Sequence, residues 1–347
     1  MGPARADDVG TGGVMGPIRV TVERAGTRES SHLVYGMVRE ARSSGRGRSH
    51  SFGDARLTAF WRSSMKPLQI LPAVRDGVLE RLGLGAEALA LACASHHGTP
   101  RHLEVVRSVM DAAELTPEMF ACGPHRPFDD GAARRMDRAG HLPGRIHNNC
   151  SGQHAVLLAL CVARGWPAAG YQEPEHPLQR TIRRELSAWL GEDCERLPWG
   201  TDGCGLPTPA LSLRKMARVF ADFGASREVA VRSVVTAMTT HPTLVSGPAA
   251  LSANLMRASS GRILAKEGAE GVFCLASAEG GWGAAFKVLD GATRPLGPAV
   301  AHALATLSLL APEEIGRMVS FAHPVVRNTC GDEVGVLSVE RESCSSM

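Results

Sequence analysis

The stretch Trp61-Arg62-Ser63-Ser64-Met65-Lys66-Pro67 sets a lysine three residues after a serine. If a helix begins there, that spacing brings both side chains onto one face. A partly desolvated lysine has its pKa drawn toward neutrality and can then take the hydroxyl proton. The serine oxygen so activated attacks an amide carbon. Spacing alone is a weak signal, because a capping serine beside a surface lysine looks the same. Pro67 also argues against an uninterrupted helix and points to a turn or a first helical position.

Four further clusters carry polar groups beside glycines. Ala92-Cys93-Ala94-Ser95-His96-His97-Gly98 ends an apolar run where a turn can present a serine to a pocket. His147-Asn148-Asn149-Cys150-Ser151-Gly152-Gln153-His154 precedes the apolar helix expected over Ala155–Val162, whose start offers free N–H groups and a positive dipole end. Thr201-Asp202-Gly203-Cys204-Gly205-Leu206-Pro207-Thr208 is a second polar loop entering an expected helix. Lys266-Glu267-Gly268-Ala269-Glu270-Gly271 leads into a late strand, with Lys266 and Glu270 four apart. Polar, Gly-rich loops at helix and strand ends are where sites are usually built. Asp202 bonding only loop amides and Glu270 pairing only with Lys266 are the bland alternatives.

The elements that must position these clusters read as strands at both ends with helices between. Ile18–Val22 alternates in the period of a half-buried strand, and His32–Val38 reads as a second. Helical periodicity follows over His102–Leu115, with Leu103, Val106, Val109 and Met110 on one face. Further helices are expected at Pro177–Leu190, at Thr208–Phe223 capped by Thr208, and at Ser226–Thr239 capped by Ser226. Strands return at Val272–Ser277 and Trp282–Leu289 around Glu279-Gly280-Gly281, then a helix over Gly297–Leu310 and a strand near Val334–Val339. The class predicted is α+β with a mostly helical subdomain inserted.

Taken together, the five clusters resemble the zinc-associated L-asparaginase family of the rhizobial type, over about His32 to Val339. Ser51-Phe52-Gly53-Asp54, His241-Pro242-Thr243-Leu244-Val245-Ser246-Gly247 and Val288-Leu289-Asp290-Gly291-Ala292-Thr293-Arg294 extend the likeness. The resemblance implies a serine β-lactamase-like (penicillin-binding-protein-like) fold and a homodimer. Ser63 matches the family nucleophile and Lys66 its base, while Ser95 and Lys266 match a second pair that assists proton transfer. Arg62, Asp202 and Glu270 match residues framing the charged ends of the substrate. The activity implied is cleavage of the L-asparagine side-chain amide to aspartate and ammonia. A diverged amidase or acyl transferase on an asparagine-like amide, or a silent ligand-binding homologue, are the alternatives.

Cys150 and Cys204 match two of the family's zinc ligands. The third is a lysine three positions after the first cysteine, where this chain has Gln153. A neutral amide is a poor zinc ligand. Three readings stay open: His154 or His97 completes the shell, the metal is lost, or the cysteines form a disulfide. No organic cofactor is expected.

Composition narrows the classes. The chain has 347 residues, 44% hydrophobic and 21% charged, enough for one large domain or two packed ones. One catalytic domain is expected over 17–347, after an unstructured lead-in over 1–16. A formal charge of +3 does not suggest nucleic acid, and Arg39, Arg42, Arg46 and Arg48 read as a solvated loop. No apolar run reaches membrane-spanning length. Nine scattered cysteines and no apolar signal core predict a cytoplasmic protein with free thiols.

Overall fold

The computed structural model describes residues 13–41 and 48–340. Most of the expected lead-in, residues 1–12, lies outside the described residues, as do Arg42 and Arg46 of the arginine run. Val14–Met15 form a short strand, paired in parallel with Ser49–Phe52. The chain forms two compact units, each assembled from separate segments. One takes the described residues of Met1–Ala59, Ser212–Ala225 and Ala269–Met347; the other takes Phe60–Leu211 and Ser226–Gly268.

The first unit is built on a mainly antiparallel sheet. Its central strands are Ile18–Arg24, Thr27–Glu40 and Trp282–Val288, and Val272–Ser277 pairs along the last of these. Glu333–Val339 adds to Ile18–Arg24 on the other side. The turn between Val272–Ser277 and Trp282–Val288 sits where Glu279-Gly280-Gly281 predicts it, with Gly280 and Gly281 at φ 88° and 111°. That is the left-handed region, which glycine enters without steric cost. The helix Leu213–Ala225 packs against these strands. A Cβ at Gly283 would lie 2.1 Å from the Ala221 nitrogen, so only glycine permits that approach.

This helix corrects one expectation. Thr208 does not cap a helix; Pro207–Ser212 is a strand paired antiparallel with Trp199–Thr201, and the helix begins at Leu213. The reason is local. Thr208 precedes Pro209, and a residue before proline is pushed out of the helical region. Pro207 and Pro209 also supply no N–H, so they suit a short strand better than a first turn.

The second unit is mainly helical. Ser151–Ala163 forms its most buried helix, with every residue from Ser151 to Cys161 buried. Ala86–Ala92 and Pro100–Ala112 pack against it. Thr99 caps Pro100–Ala112, two residues ahead of the expected start, because Pro100 at the first position needs no N–H partner. Pro177–Leu190 has the predicted bounds, while Val229–Thr240 begins three residues later than Ser226. The strand Ile263–Gly268 also belongs to this unit. No helix among the described residues is long and apolar enough to cross a membrane.

Candidate active site

The Ser63/Lys66 motif folds as a 3-10 turn, Arg62–Met65, running directly into the short helix Lys66–Gln69. Pro67 falls in the first turn, where proline is tolerated. Arg62 sits at φ 54°, a left-handed conformation that is uncommon for a side-chain-bearing residue. Its amide donates to Thr208 Oγ1 at 3.0 Å, and its guanidinium pairs with Asp202 at 2.9 Å. Ser63 is buried, and Ser64 Oγ donates to the Lys266 carbonyl at 3.1 Å. The turn and the Ile263–Gly268 strand are thereby tied together.

Ser95 lies on the extended segment that leaves Ala86–Ala92. Its amide donates to the Val245 carbonyl at 2.9 Å, and those of His96 and His97 donate to Asn149 and Ser246 at 2.9 and 2.7 Å. A Cβ at Gly247 would come within 2.5 Å of the His97 ring, so the two segments are pressed together there. This holds Ser95 where Lys266 reaches it: Nζ stands 2.8 Å from Ser95 Oγ and donates to the Glu267 carbonyl, also at 2.8 Å. Lys266 is 1% exposed. Burial, then the charge of Lys66, brings its pKa down to about 7. A buried lysine loses its proton because the charged form has lost its water.

Lys66 is equally buried but differently engaged. Its amine donates to the Ala94 carbonyl, next to Ser95, and to Cys150 Sγ at 3.1 Å. Cys150 is pulled below the ordinary thiol range, first by the neighbouring Cys204 thiol and then by Lys66. Cys204 is pushed well above it by Cys150 and by burial. Both cysteines are free, so the disulfide reading is not what this structure contains. Cys204 lies in the loop joining Trp199–Thr201 to Pro207–Ser212, beside Asp202, which also accepts from the Gly203 amide at 2.7 Å.

The family resemblance places zinc at Cys150 and Cys204, and the residues present do not fit it. Among the described residues no three His, Cys, Asp or Glu side chains converge on one point as a metal shell. Gln153 turns its amide to Gln69, with Nε2 2.7 Å from Oε1. His154 is fully buried with Nδ1 against the Tyr171 hydroxyl, and its Nε2 has no partner. Burial drives its pKa down to about 3, so it is neutral. His97 stands edge-on to Phe128.

The helical unit thus brings together Arg62, Ser63, Lys66, Ser95, Cys150, Asp202, Cys204 and Lys266. Glu270 falls in the sheet unit, where its carbonyl accepts from Lys287 Nζ at 2.7 Å. Lys266, the partner that the bland alternative gave to Glu270, has its amine on Ser95 Oγ and the Glu267 carbonyl. Sequence reasoning missed His96, whose Nε2 is 2.8 Å from Ser151 Oγ and whose Nδ1 accepts from the Gly98 amide at 3.1 Å. It also missed the Gln69–Gln153 pair. Neither has a local signature, since the partners lie 55 and 84 residues apart.

A family model described as L-asparaginase II matches residues 20–339. Among solved structures, one titled as Mglu in its native form in the presence of 4.3 M NaCl is similar at 13% identity and a TM-score of 0.45. The match covers 80% of this chain and 62% of that one. A second structure of native Mglu is 14% identical with a TM-score of 0.42, covering 80% and 65%. Mglu in its tris and glutamate form is 15% identical at 0.34, covering 80% and 60%. The chain spans less than two thirds of the length of these structures. No curated protein sequence matches it. The chain belongs to the L-asparaginase II family.

Proposed function

We propose that this L-asparaginase II family chain hydrolyses the amide of a small amino acid through a serine acyl-enzyme, with L-asparagine the first substrate to test. The observation that carries the reading is the contact between Lys266 and Ser95: a buried amine with its pKa near neutrality, 2.8 Å from a serine hydroxyl. Neutral Lys266 takes the Ser95 proton as Oγ bonds to the amide carbon. When the C–N bond breaks, Lys266 returns that proton to the leaving nitrogen and ammonia departs. Water then attacks the ester with Lys266 again as base, releasing the acid and restoring Ser95.

The other groups have supporting parts in this reading. Lys66, held by Ala94 and Cys150, supplies the positive charge that helps keep Lys266 neutral. Arg62 and Asp202, paired at 2.9 Å, are offered as the groups that meet the substrate carboxylate and ammonium. Backbone amides at the Arg62–Met65 turn, Ser63's among them, are offered as oxyanion donors.

A second reading makes Ser63 the attacking oxygen, with Ser95 passing its proton to Lys266. The strained φ of Arg62 immediately before Ser63 favours it, because such strain concentrates at functional sites. The serine β-lactamase-like fold is part of the same proposal, supported by a Ser-x-x-Lys at a helix start and by separate sheet and helical units. So is the homodimer, which light scattering tests.

The experiment is ammonia release from a panel of amides, L-asparagine included, with mass spectrometry of acid-quenched enzyme. Turnover with a mass increase on the Ser95 peptide supports the leading reading, and on the Ser63 peptide the second. Acyl transfer to an added amine without free acid would identify a transferase. Binding of asparagine with no ammonia would identify a silent homologue.

A further inference from the structure

We propose that Gln69 and Gln153 form a metal-independent brace that positions Lys66, so that this chain maintains its site without zinc; the positioning role rests on the site reading above. Two side-chain bonds join the same two short stretches of chain. Lys66 and Gln69 are three apart at the start and end of one helix, and Cys150 and Gln153 are three apart at the start of Ser151–Ala163. Residues at that spacing share a helix face. Lys66 Nζ meets Cys150 Sγ at 3.1 Å, and Gln69 Oε1 meets Gln153 Nε2 at 2.7 Å. The bonds form two rungs between the same pair of faces.

Burial makes the lower rung consequential. Gln69 is 4% exposed and Gln153 is 1% exposed, so neither amide can turn to water if its partner is removed. The close approach of the Ser151–Ala163 helix start to its neighbour reinforces the register. A Cβ at Gly152 would lie 2.6 Å from Leu91 Cγ, which leaves that turn no room to shift. The upper rung ends at an amine that also holds the Ala94 carbonyl, one residue before Ser95. The amide pair therefore fixes the base of a side chain whose tip is attached to the Ser95 segment.

The same bonds disfavour a metal. Zinc at Cys150 would compete for a sulfur that already accepts from the Lys66 amine at 3.1 Å. The Gln153 nitrogen is committed to Gln69, and a neutral amide is in any case a poor donor to zinc. His154, the buried imidazole with a vacant Nε2, is held at its other nitrogen by Tyr171 and joins no three-ligand group.

Elemental analysis and thermal melting test the metal half without requiring turnover, so their outcome is independent of the amidase reading. Protein dialysed against micromolar zinc and then buffer should retain far less than one zinc per chain, and EDTA should leave its Tm unmoved. About one tightly held zinc per chain, or a Tm lowered by EDTA, overturns it, because structural zinc contributes directly to folding. The positioning half is tested with Gln69→Leu, Gln153→Leu and the double variant. Each single change leaves one buried amide unpaired and should lower Tm by several degrees; the double change should recover most of that loss. A positioning role predicts that kcat for whichever amide is turned over stays down about tenfold in the double variant, with KM nearly unchanged. Recovery of kcat together with Tm would show the pair to be only structural and sink the positioning claim.

Discussion

Lys266 Nζ stands 2.8 Å from Ser95 Oγ across 171 residues of chain, and it does so with the lysine removed from water. An amine in that setting is a base rather than a cation once the pH passes its lowered pKa. Activity should therefore rise with pH through an inflection near 7, where Lys266 loses its proton. A pH–rate profile that stays level through this inflection removes Lys266 as the base.

The same burial has a stability consequence. Unfolded, Lys266 holds its proton up to its ordinary value of 10.5; folded, it releases it near 7. Between those values the unfolded state binds more protons, so this group's destabilising effect is full below 7 and fades as pH rises. Lys266→Met should abolish turnover and raise Tm at pH 6, since an apolar chain of similar length needs no desolvation. A Tm below wild type at pH 6 would show that the Ser95 and Glu267 bonds outweigh the burial of the charge.

Replacing each serine separates the two readings of attack. If Ser95 forms the acyl-enzyme, Ser95→Ala loses on the order of 1,000-fold in kcat, whereas Ser63→Ala loses far less. The reverse ranking assigns the attack to Ser63 and the relay to Ser95. Near wild-type activity in both variants would remove the serine mechanism altogether.

Asp202 is offered as the partner of the substrate ammonium. Asp202→Asn should raise KM for an α-amino amide by roughly 10-fold or more, the scale set by a charge-assisted bond. An amide lacking the α-amino group should be affected much less. Equal losses for both substrates would mean that Asp202 serves only to orient Arg62, to which it is bonded.

Much of the candidate site was legible as text, because its parts are short, polar and Gly-rich against apolar periodicity. Ser63, Lys66, Ser95, Cys150, Asp202, Cys204 and Lys266 are all in the helical unit. Helices such as Pro177–Leu190 were readable because their apolar spacing repeats over several turns. Thr208 was misread because a polar loop before an apolar run resembles a helix start; the prolines flanking Thr208 carried the contrary signal.

The sequence by itself determined the inventory: Ser63, Lys66, Ser95, Lys266, Cys150, Cys204 and Gln153 in short polar, Gly-rich clusters, and strands at both ends with helices between. Only the tertiary structure decided who meets whom. It turns Lys66 to Cys150 and the Ala94 carbonyl and commits Gln153 to Gln69. The physical reason is that a lysine's role depends on desolvation and on neighbouring charge, both properties of the packed interior. Residue type and local spacing fix what a side chain can do; burial by segments far away in the chain sets whether its proton stays or leaves.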